Sequence, residues 1–190
     1  KIMKKMISNF IKVVDLSKHN QVCLDVINES ELSNYSFIKG KSSYETNKQF
    51  LFNPKLKDLM IDIQLSIIDY VKSHEIHESL MSSSWFNILG KDGLVEKHQH
   101  SKSWNDENGS VISGAYYPYV DDNSCPLIFE HDSDIYNGPH QPYESIPTSG
   151  MMILFPSWLQ HHTKPNQSEK RITVSFNTIR KDIYLERSKK

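Results

Sequence analysis

The fold is most clearly indicated by the stretch from Gly150 to Asn177, which reads GMMILFPSWLQHHTKPNQSEKRITVSFN. Its apolar start and its last segment, RITVSFN, are typical of strands, and the polar run between them predicts a turn. Alternate residues of a strand face opposite sides of the sheet. One side of the last strand is apolar, so it is expected to face a core, and the other is a polar face that either forms a lining or lies outside in water. The members of that polar face are Arg171, Thr173, Ser175 and Asn177.

Around this stretch, residues 84–180 alternate short apolar segments with turn residues, as antiparallel β proteins do. The first half carries a helix instead. Asn53 is a favourable N-cap, Pro54 suits the first helical position, and apolar residues recur at helical spacing from Leu56 to Val71. We therefore predict an α+β fold in which N-terminal helices pack on one sheet of a sandwich or barrel.

The whole chain, residues 1–190, is predicted to be a single domain, since its length is ordinary for one. Residues 1–83 are assigned to a support region of helices and short strands, and residues 84–180 to the β core. In the support region, IKVVDL and QVCLDVI predict strands, and the polar run from Asn28 to Ser43 predicts a loop.

Composition and charge exclude several classes of protein. The net charge is −1, which argues against a general electrostatic interaction with nucleic acid or with an anionic membrane. Two cysteines without a CxxC pattern argue against a disulfide scaffold and against a cysteine-rich zinc site, and favour the reducing cytoplasm. No apolar run is long enough to predict a signal peptide or a membrane-spanning helix.

Histidines form the most informative motif. The segment EKHQHSKSW carries His98 and His100 at positions i and i+2, which share one face of a strand. His161 and His162 follow much later, after a buried strand. Two adjacent ligands and one distant ligand would leave part of a metal's coordination sphere open, as in non-haem iron(II) oxygenases. The alternative interpretation is a polar surface without any metal.

Residues 84–177 resemble the iron(II)- and 2-oxoglutarate-dependent oxygenases, and more narrowly a branch of small oxygenases common in phages and marine bacteria. The resemblance rests on SWFNILGKDGLVEKHQH, SGAYYPY, PLIFE and the stretch quoted first, which together span about half of the chain. It implies a double-stranded β-helix, a cupin-like jelly roll. It also implies a dioxygenase, most simply a hydroxylase, that uses Fe(II), O₂ and 2-oxoglutarate as cosubstrate and couples oxidative decarboxylation to C–H oxidation.

The same resemblance implies roles for individual residues. His98 and His161 fall on the two iron histidines of the family, and Arg171 falls on the basic residue that pairs with the distal carboxylate of 2-oxoglutarate. Tyr117 falls where a phenol supports that carboxylate. The other residues assigned to the cosubstrate pocket are Asn87 and Ser175, with Asn177 on the same polar strand face.

The chain departs from the family pattern at one ligand, because the wider superfamily has Asp or Glu where this chain has His100. His100 is favoured as the third metal ligand, since spacing i+2 puts it beside His98. Nearby acids remain alternatives, namely Asp106, Glu107 and Asp132. His162 remains the alternative to His161, because the stretch from histidine to arginine is about one residue longer than in many relatives.

Two other functions compete with the oxygenase. A cupin-type metalloprotein, whether isomerase, dioxygenase or small-molecule binder, would use a similar histidine pattern without 2-oxoglutarate. Trp158 stands where a cupin would have glycine, and a cupin does not need Arg171. A barrel that binds a sugar or a protein without catalysis is the other alternative, and its contacts would be aromatic residues such as Trp104, Tyr116, Tyr119 and Tyr136.

The sequence leaves the substrate open, as a small molecule or a macromolecule, and it leaves the oligomeric state open. Nothing in it indicates a nucleic-acid or membrane partner. The remaining histidines are expected to be solvated loop or surface residues, and they are His19, His74, His77, His131 and His140.

Overall fold

Two antiparallel sheets with helices on one side make up the fold, in a computed structural model that describes residues 7–106, 109–130 and 142–189. The helices are α1 (Asn20–Asn28), α2 (Lys57–Ser73) and α3 (Lys181–Arg187). The strands are β1 (Lys12–Asp15), β2 (Ser33–Tyr35), β3 (Ile38–Ser42), β4 (Ser79–Leu89), β5 (Leu94–Val95), β6 (Ile112–Tyr119), β7 (Leu127–Glu130), β8 (Tyr143–Ser145), β9 (Met151–Pro156), β10 (Gln160–Thr163) and β11 (Arg171–Arg180).

The larger sheet has the strand order β1-β9-β6-β11-β4-β3-β2, with β5 paired to β3, and the smaller sheet has the order β10-β7-β8. A buried apolar cluster joins the two sheets face to face. In it, Leu127 and Phe129 of the smaller sheet lie with Ala115, Ile153 and Phe155 of the larger sheet. Burying such side chains contributes about 1.5–3 kcal/mol each, so this contact holds the two layers together.

Strand β11 lies at the centre of the larger sheet, between β4 and β6. Its apolar residues belong to the core under the helices: Val174 and Phe176 cluster there with Leu59 and Ile63 of α2. Its polar residues face the other sheet and line a cavity. The prediction of a two-faced strand, core on one side and polar on the other, is confirmed, as is the α+β class with helices on one sheet.

The predicted helix is confirmed with one refinement at its start. The Asn53 side chain accepts a hydrogen bond from the backbone N–H of Lys55, as an N-cap does. Pro54 begins a short 3₁₀ turn, and α2 proper begins at Lys57. The helix buries Ile67 completely, so its packing against the sheet is decided by the apolar stripe seen in the sequence.

Two sequence predictions in the first half are wrong. QVCLDVI is not a strand but lies in α1, where Cys23, Val26 and Ile27 are buried at helical spacing. The run predicted as a loop holds β2 and β3, and β3 pairs with β4. Short polar strands carry little periodic signal of their own, and β3 is held by its pairing with a neighbouring strand.

His19 is also not a surface residue. It is only 7% exposed, and its Nε2 lies 2.8 Å from Asp62 Oδ2. The burial of His19 follows from the packing of α1 on the rest of the chain, which the sequence did not indicate. None of the helices in the described ranges is long and apolar enough to cross a membrane.

Candidate active site

His98 and His161 are brought together by backbone pairing. The N–H of each donates to the carbonyl of the other, at 3.1 Å and 2.9 Å, so the two residues form an isolated antiparallel bridge. Residues that face each other across such a bridge place their side chains on the same side. The two imidazole centroids lie 4.3 Å apart as a result.

His100 joins this pair from the same segment. Its backbone N–H donates to Ser157 O at 2.8 Å, which fixes the segment against the end of β9. The His100 ring lies 4.9 Å from that of His98 and 5.2 Å from that of His161, centroid to centroid. One ring nitrogen from each of the three histidines lies within 4.8 Å of the others, a spacing at which a single metal ion could be held between them.

The three imidazoles are kept in the form that binds metal. Burial lowers the pKa of His98, and burial together with the neighbouring His98 ring lowers the pKa of His100 to about 3. Burial, with the two other rings, holds the pKa of His161 well below its usual range. A neutral imidazole is the ligand form of histidine, so no proton has to be displaced at neutral pH.

Hydrogen bonds also select the ligand atom of two of these rings. His98 Nδ1 lies 2.7 Å from Glu96 O, and His161 Nδ1 lies 2.9 Å from Leu159 O. A carbonyl oxygen only accepts, so in both rings Nδ1 carries the hydrogen. The lone pair of a neutral ring is then on Nε2, and the residues present fit a divalent metal.

A cavity of about 300 Å³ extends from the histidines to Arg171. Arg171 is 1% exposed; its Nε donates to Cys125 O at 3.2 Å and its Nη1 donates to Thr173 Oγ1 at 2.7 Å. Its Nη2 has no hydrogen-bond partner in the described part of the chain, and no carboxylate there pairs with it. A buried cation without a counter-ion is costly, so this position fits an anionic ligand.

Tyr117 lies against the same arginine. The Arg171 guanidinium carbon is 5.0 Å from the centre of the Tyr117 ring, and the ring is fully buried. The Tyr117 hydroxyl has no hydrogen-bond partner that meets normal geometry among the described residues. Burial raises the pKa of Tyr117, and the adjacent guanidinium offsets part of that rise, so the phenol stays protonated and can donate. Two unused donors therefore meet at this end of the cavity.

The other residues predicted for the cosubstrate pocket line the same cavity. The Asn87 amide donates to Ser175 Oγ at 3.4 Å and accepts from Ser42 Oγ at 2.8 Å. Asn177 lies at the opposite end, where its side chain contacts His100 and Ser113. These residues line one cavity, and their assignment to the cosubstrate pocket remains a prediction.

The alternative metal ligands fall elsewhere or outside the described residues. The Asp106 carboxylate accepts from the backbone N–H of Lys102, and Asp106 does not belong to the histidine cluster. His162 points away from that cluster, because neighbouring strand residues face opposite sides, and its Nε2 lies 3.1 Å from Glu130 Oε1. Glu107, Asp132, His131 and His140 lie outside the described residues.

Sequence analysis missed an aromatic wall of the cavity, formed largely by the first half of the chain. Tyr35 stacks on Tyr44 at 4.3 Å between centroids, and Tyr44 meets the edge of Trp85 at 5.1 Å. Phe37, which is 47% exposed, continues this wall outward. No motif marks Tyr35, Phe37 or Tyr44, and the pairing of β2 and β3 with the sheet brings them to the cavity beside Trp85 of β4.

Sequence comparison identifies one family. Residues 83–177, half of the chain, match the family described as "Putative 2OG-Fe(II) oxygenase". The matched range includes all three clustered histidines, Tyr117 and Arg171. Among curated proteins, none is similar to the chain in sequence.

Solved structures show the same fold at low sequence identity. A prolyl-4-hydroxylase from Pseudomonas putida is 9% identical with a TM-score of 0.64, over 90% of this chain and 93% of that one. A Trichoplax adhaerens prolyl hydroxylase, solved with a hypoxia-inducible-factor peptide, is 12% identical with a TM-score of 0.63, over 97% and 92%. HygX from Streptomyces hygroscopicus, solved with nickel, 2-oxoglutarate and hygromycin B, is 10% identical with a TM-score of 0.65, over 95% and 88%.

These likenesses confirm the double-stranded β-helix predicted from the sequence. The family match, the histidine cluster and the buried arginine all fit an oxygenase that uses iron(II) and 2-oxoglutarate. The chain belongs to the 2OG-Fe(II) oxygenases, the enzymes that depend on iron(II) and 2-oxoglutarate.

Proposed function

We propose that the protein is a dioxygenase that hydroxylates a C–H bond of its substrate, with iron(II) held by His98, His100 and His161. Arg171 and Tyr117 bind the distal carboxylate of 2-oxoglutarate. The observation that carries the proposal is the buried Arg171 guanidinium, which has no anionic partner among the described residues and opens on the cavity that holds the histidines.

Iron(II) and 2-oxoglutarate, when bound, supply the oxidative decarboxylation to succinate and CO₂ that activates O₂ for C–H oxidation. The residues of the chain orient the cosubstrate and keep water away from the metal ligands. Arg171 and Tyr117 offer donors to one end of the cosubstrate, which orients its other end toward the histidines. Phe155, whose ring lies 4.8 Å from that of His161, and Phe129 shield the ligands from water.

Asn87 and Ser175 have a supporting part in this proposal. They lie on neighbouring strands β4 and β11 and line the cavity between Arg171 and the histidines. Their polar groups can hydrogen-bond to the cosubstrate or to water beside it. The Ser42 hydroxyl donates to the Asn87 side-chain oxygen, so the Asn87 amide is already oriented before any ligand binds.

For the substrate, we propose an uncharged group, apolar or ring-shaped, next to the iron. Part of the cavity wall beside His100 is aromatic, with the Trp85 ring 6.4 Å from the His100 ring, and none of the described residues that line the cavity is Asp or Glu. Aromatic walls favour apolar and ring-bearing ligands. Trp85→Leu is expected to raise KM for the substrate roughly 2- to 10-fold, the effect of losing one aromatic contact, while leaving 2-oxoglutarate affinity unchanged. A loss of 2-oxoglutarate affinity instead would contradict this assignment.

The proposed function is tested without oxygen, by adding Fe(II) and then 2-oxoglutarate and recording the weak visible charge-transfer band of the chelate. The band should appear with the wild-type protein and disappear in His161→Ala and in Arg171→Ala. The matched controls are His162→Ala and Arg180→Ala, which change a neighbouring histidine and an arginine at the far end of the same strand. Both controls should keep the band.

The outcomes separate the two halves of the proposal. Metal binding without any response to 2-oxoglutarate would refute the cosubstrate site and favour a cupin-type metalloprotein. No metal binding at all would refute the metal site. A band that survives in Arg171→Ala would leave iron and 2-oxoglutarate in place but remove Arg171 from the carboxylate site.

A further inference from the structure

Asn177 lies on β11 beside the third histidine, with its side-chain amide between His100 and Ser113. As placed, Nδ2 lies 3.4 Å from His100 Nδ1, and Oδ1 lies 2.8 Å from Ser113 Oγ. The amide nitrogen donates and the amide oxygen accepts, but the two atoms are nearly alike in size, so distance alone does not say which one faces the histidine. The orientation has to be decided from the hydrogen bonds beyond Ser113.

Those hydrogen bonds form a chain of serine hydroxyls. Ser113 Oγ lies 2.7 Å from Ser157 Oγ, and Ser157 Oγ lies 2.8 Å from Ser110 Oγ. The chain ends at Ile112 O, which is 3.0 Å from Ser110 Oγ. Ser110 Oγ also accepts the backbone N–H of Thr178 at 3.1 Å, so this end is anchored in the sheet. We call these three hydroxyls and the Asn177 amide the serine relay.

Each contact of the relay needs one hydrogen, and each hydroxyl has one to give. If the amide oxygen faces Ser113, the Ser113 hydroxyl must donate to it. Ser157 must then donate to Ser113, and Ser110 to Ser157. No hydrogen is left for the contact of 3.0 Å between Ser110 Oγ and Ile112 O, where two acceptor oxygens would face each other.

The opposite orientation satisfies every contact. When the amide nitrogen faces Ser113, it donates to Ser113 Oγ. The Ser113 hydroxyl then donates to Ser157, the Ser157 hydroxyl to Ser110, and the Ser110 hydroxyl to Ile112 O. The amide oxygen then faces His100 Nδ1 and can only accept. His100 Nδ1 must therefore carry the ring hydrogen, as Nδ1 of His98 does towards Glu96 O.

We propose that Asn177 is a positioning residue for the third metal ligand: its amide oxygen accepts from His100 Nδ1–H, and the serine relay holds the amide in that orientation. The inference rests on the proposed metal site and gives His100 the same ligand atom, Nε2, as His98 and His161. In the reverse orientation a neutral His100 would carry its hydrogen on Nε2 and could not bind metal through it.

This assignment explains how a neutral third ligand can be held where most of the superfamily has a carboxylate. A carbonyl that accepts from the outer nitrogen of a ligating imidazole fixes the ring and makes its other nitrogen a better donor to metal. The relay supplies that carbonyl from β11 and ties it to Ser157, whose backbone oxygen also holds the His100 backbone N–H. Side chain and main chain of His100 are thus anchored at the same place.

The test is long-range ¹H–¹⁵N NMR of the imidazoles in the metal-free ¹⁵N-labelled protein at neutral pH, which identifies the ring nitrogen that carries the hydrogen. In the wild type, His100 should be the Nδ1–H tautomer. In Asn177→Ala it should shift toward Nε2–H, the form that free imidazole side chains favour. Asn177→Asp keeps an acceptor and should keep Nδ1–H. The matched control is Ser82→Ala, which removes a hydroxyl bonded to the Asn177 backbone carbonyl and not to its amide.

A second readout is the affinity for Co(II), followed by its visible absorption. Loss of a partner behind a metal ligand typically weakens metal binding by about 10- to 100-fold, and this loss is expected for Asn177→Ala but not for Ser82→Ala. A wild-type His100 in the Nε2–H form, or an unchanged tautomer in Asn177→Ala, would overturn the inference. Failure of the metal site itself would appear separately, as no Co(II) binding in the wild type, because the tautomer is read without metal.

Discussion

Replacing Arg171 by methionine tests whether its positive charge serves ligand binding or the stability of the folded protein. In the folded protein the guanidinium makes two hydrogen bonds, to Cys125 O and Thr173 Oγ1, and has no carboxylate partner among the described residues. Removing those bonds costs about 1.5–3 kcal/mol each, whereas removing an uncompensated buried charge returns several kcal/mol. The free energy of unfolding of the ligand-free protein should therefore change by less than about 2 kcal/mol.

Binding of 2-oxoglutarate should change far more. Truncating one partner of a buried, hydrogen-bonded charge pair costs about 2–5 kcal/mol, which raises Kd by roughly 30-fold to several thousand-fold. Anaerobic calorimetry with Fe(II)-loaded protein measures this Kd, and urea unfolding without metal or cosubstrate measures stability. Arg180→Met is the control, since Arg180 lies on the same strand but pairs with Asp182 at the surface. A variant at Arg171 that loses 3 kcal/mol or more of stability and still binds 2-oxoglutarate normally would refute this reasoning.

Three further predictions concern the histidines, the metal and the sheet. Because folding holds the pKa of His100 at about 3, the metal-free protein should lose stability as pH falls below 6.5. His100 alone should account for a loss of about 1 kcal/mol in the free energy of unfolding between pH 6 and pH 5. Urea unfolding at several pH values should therefore show that the free energy of unfolding of His100→Gln falls less steeply as the pH is lowered. Fe(II) should bind about 5- to 150-fold more tightly with 2-oxoglutarate present, because three neutral ligands and Arg171 leave the site positive, and anaerobic metal titration measures this. Gly114→Ala should lower the free energy of unfolding by about 1–3 kcal/mol or more, because a Cβ there would lie 2.0 Å from Phe176 Cζ in a filled core.

Each of these has a matched control. His77 is exposed, so His77→Gln should leave the pH slope unchanged, and an equal slope change in both variants would contradict the assignment to His100. Succinate carries both carboxylates but no keto group, so it should strengthen Fe(II) binding less than 2-oxoglutarate does. Gly90→Ala should be nearly neutral, since its Cβ would meet Glu169 O at an ordinary 3.5 Å. Equal destabilisation at Gly90 and Gly114 would show that lost backbone freedom, rather than the Phe176 clash, is responsible.

Features that depend on short-range periodicity could be predicted from the sequence alone. The alternation along RITVSFN predicted which face of β11 is core and which is polar, and the structure adds that the polar face lines a cavity. The helical spacing before Val71 predicted α2 and its buried face. Periodicity failed for α1 and for β2 and β3, because short segments with mixed residues are decided by the neighbours they pair with or pack against.

Some features of the candidate site could likewise be predicted from the sequence, and others could not. The HxH spacing predicted that His98 and His100 share one face of a strand. Both lie instead in the connection after β5, where His98 forms only an isolated bridge, although their ring centroids are 4.9 Å apart. The resemblance pointed to His161 and Arg171. The folded structure was needed to show that His161 pairs with His98 across a backbone bridge while His162 faces Glu130. A strand turns one of two neighbouring residues inward, and which one depends on the register with a distant strand.

The sequence could not show which polar groups have a counter-ion or in which direction their hydrogen bonds run. That Arg171 lacks an anionic partner in the described structure, and that hydrogens along the serine relay run from His100 to Ile112, are properties of groups far apart in the chain. A local pattern fixes which side chains share a face, because backbone geometry repeats over a few residues. Burial, counter-ions and hydrogen-bond direction depend on which groups from distant parts of the chain the fold brings next to those side chains.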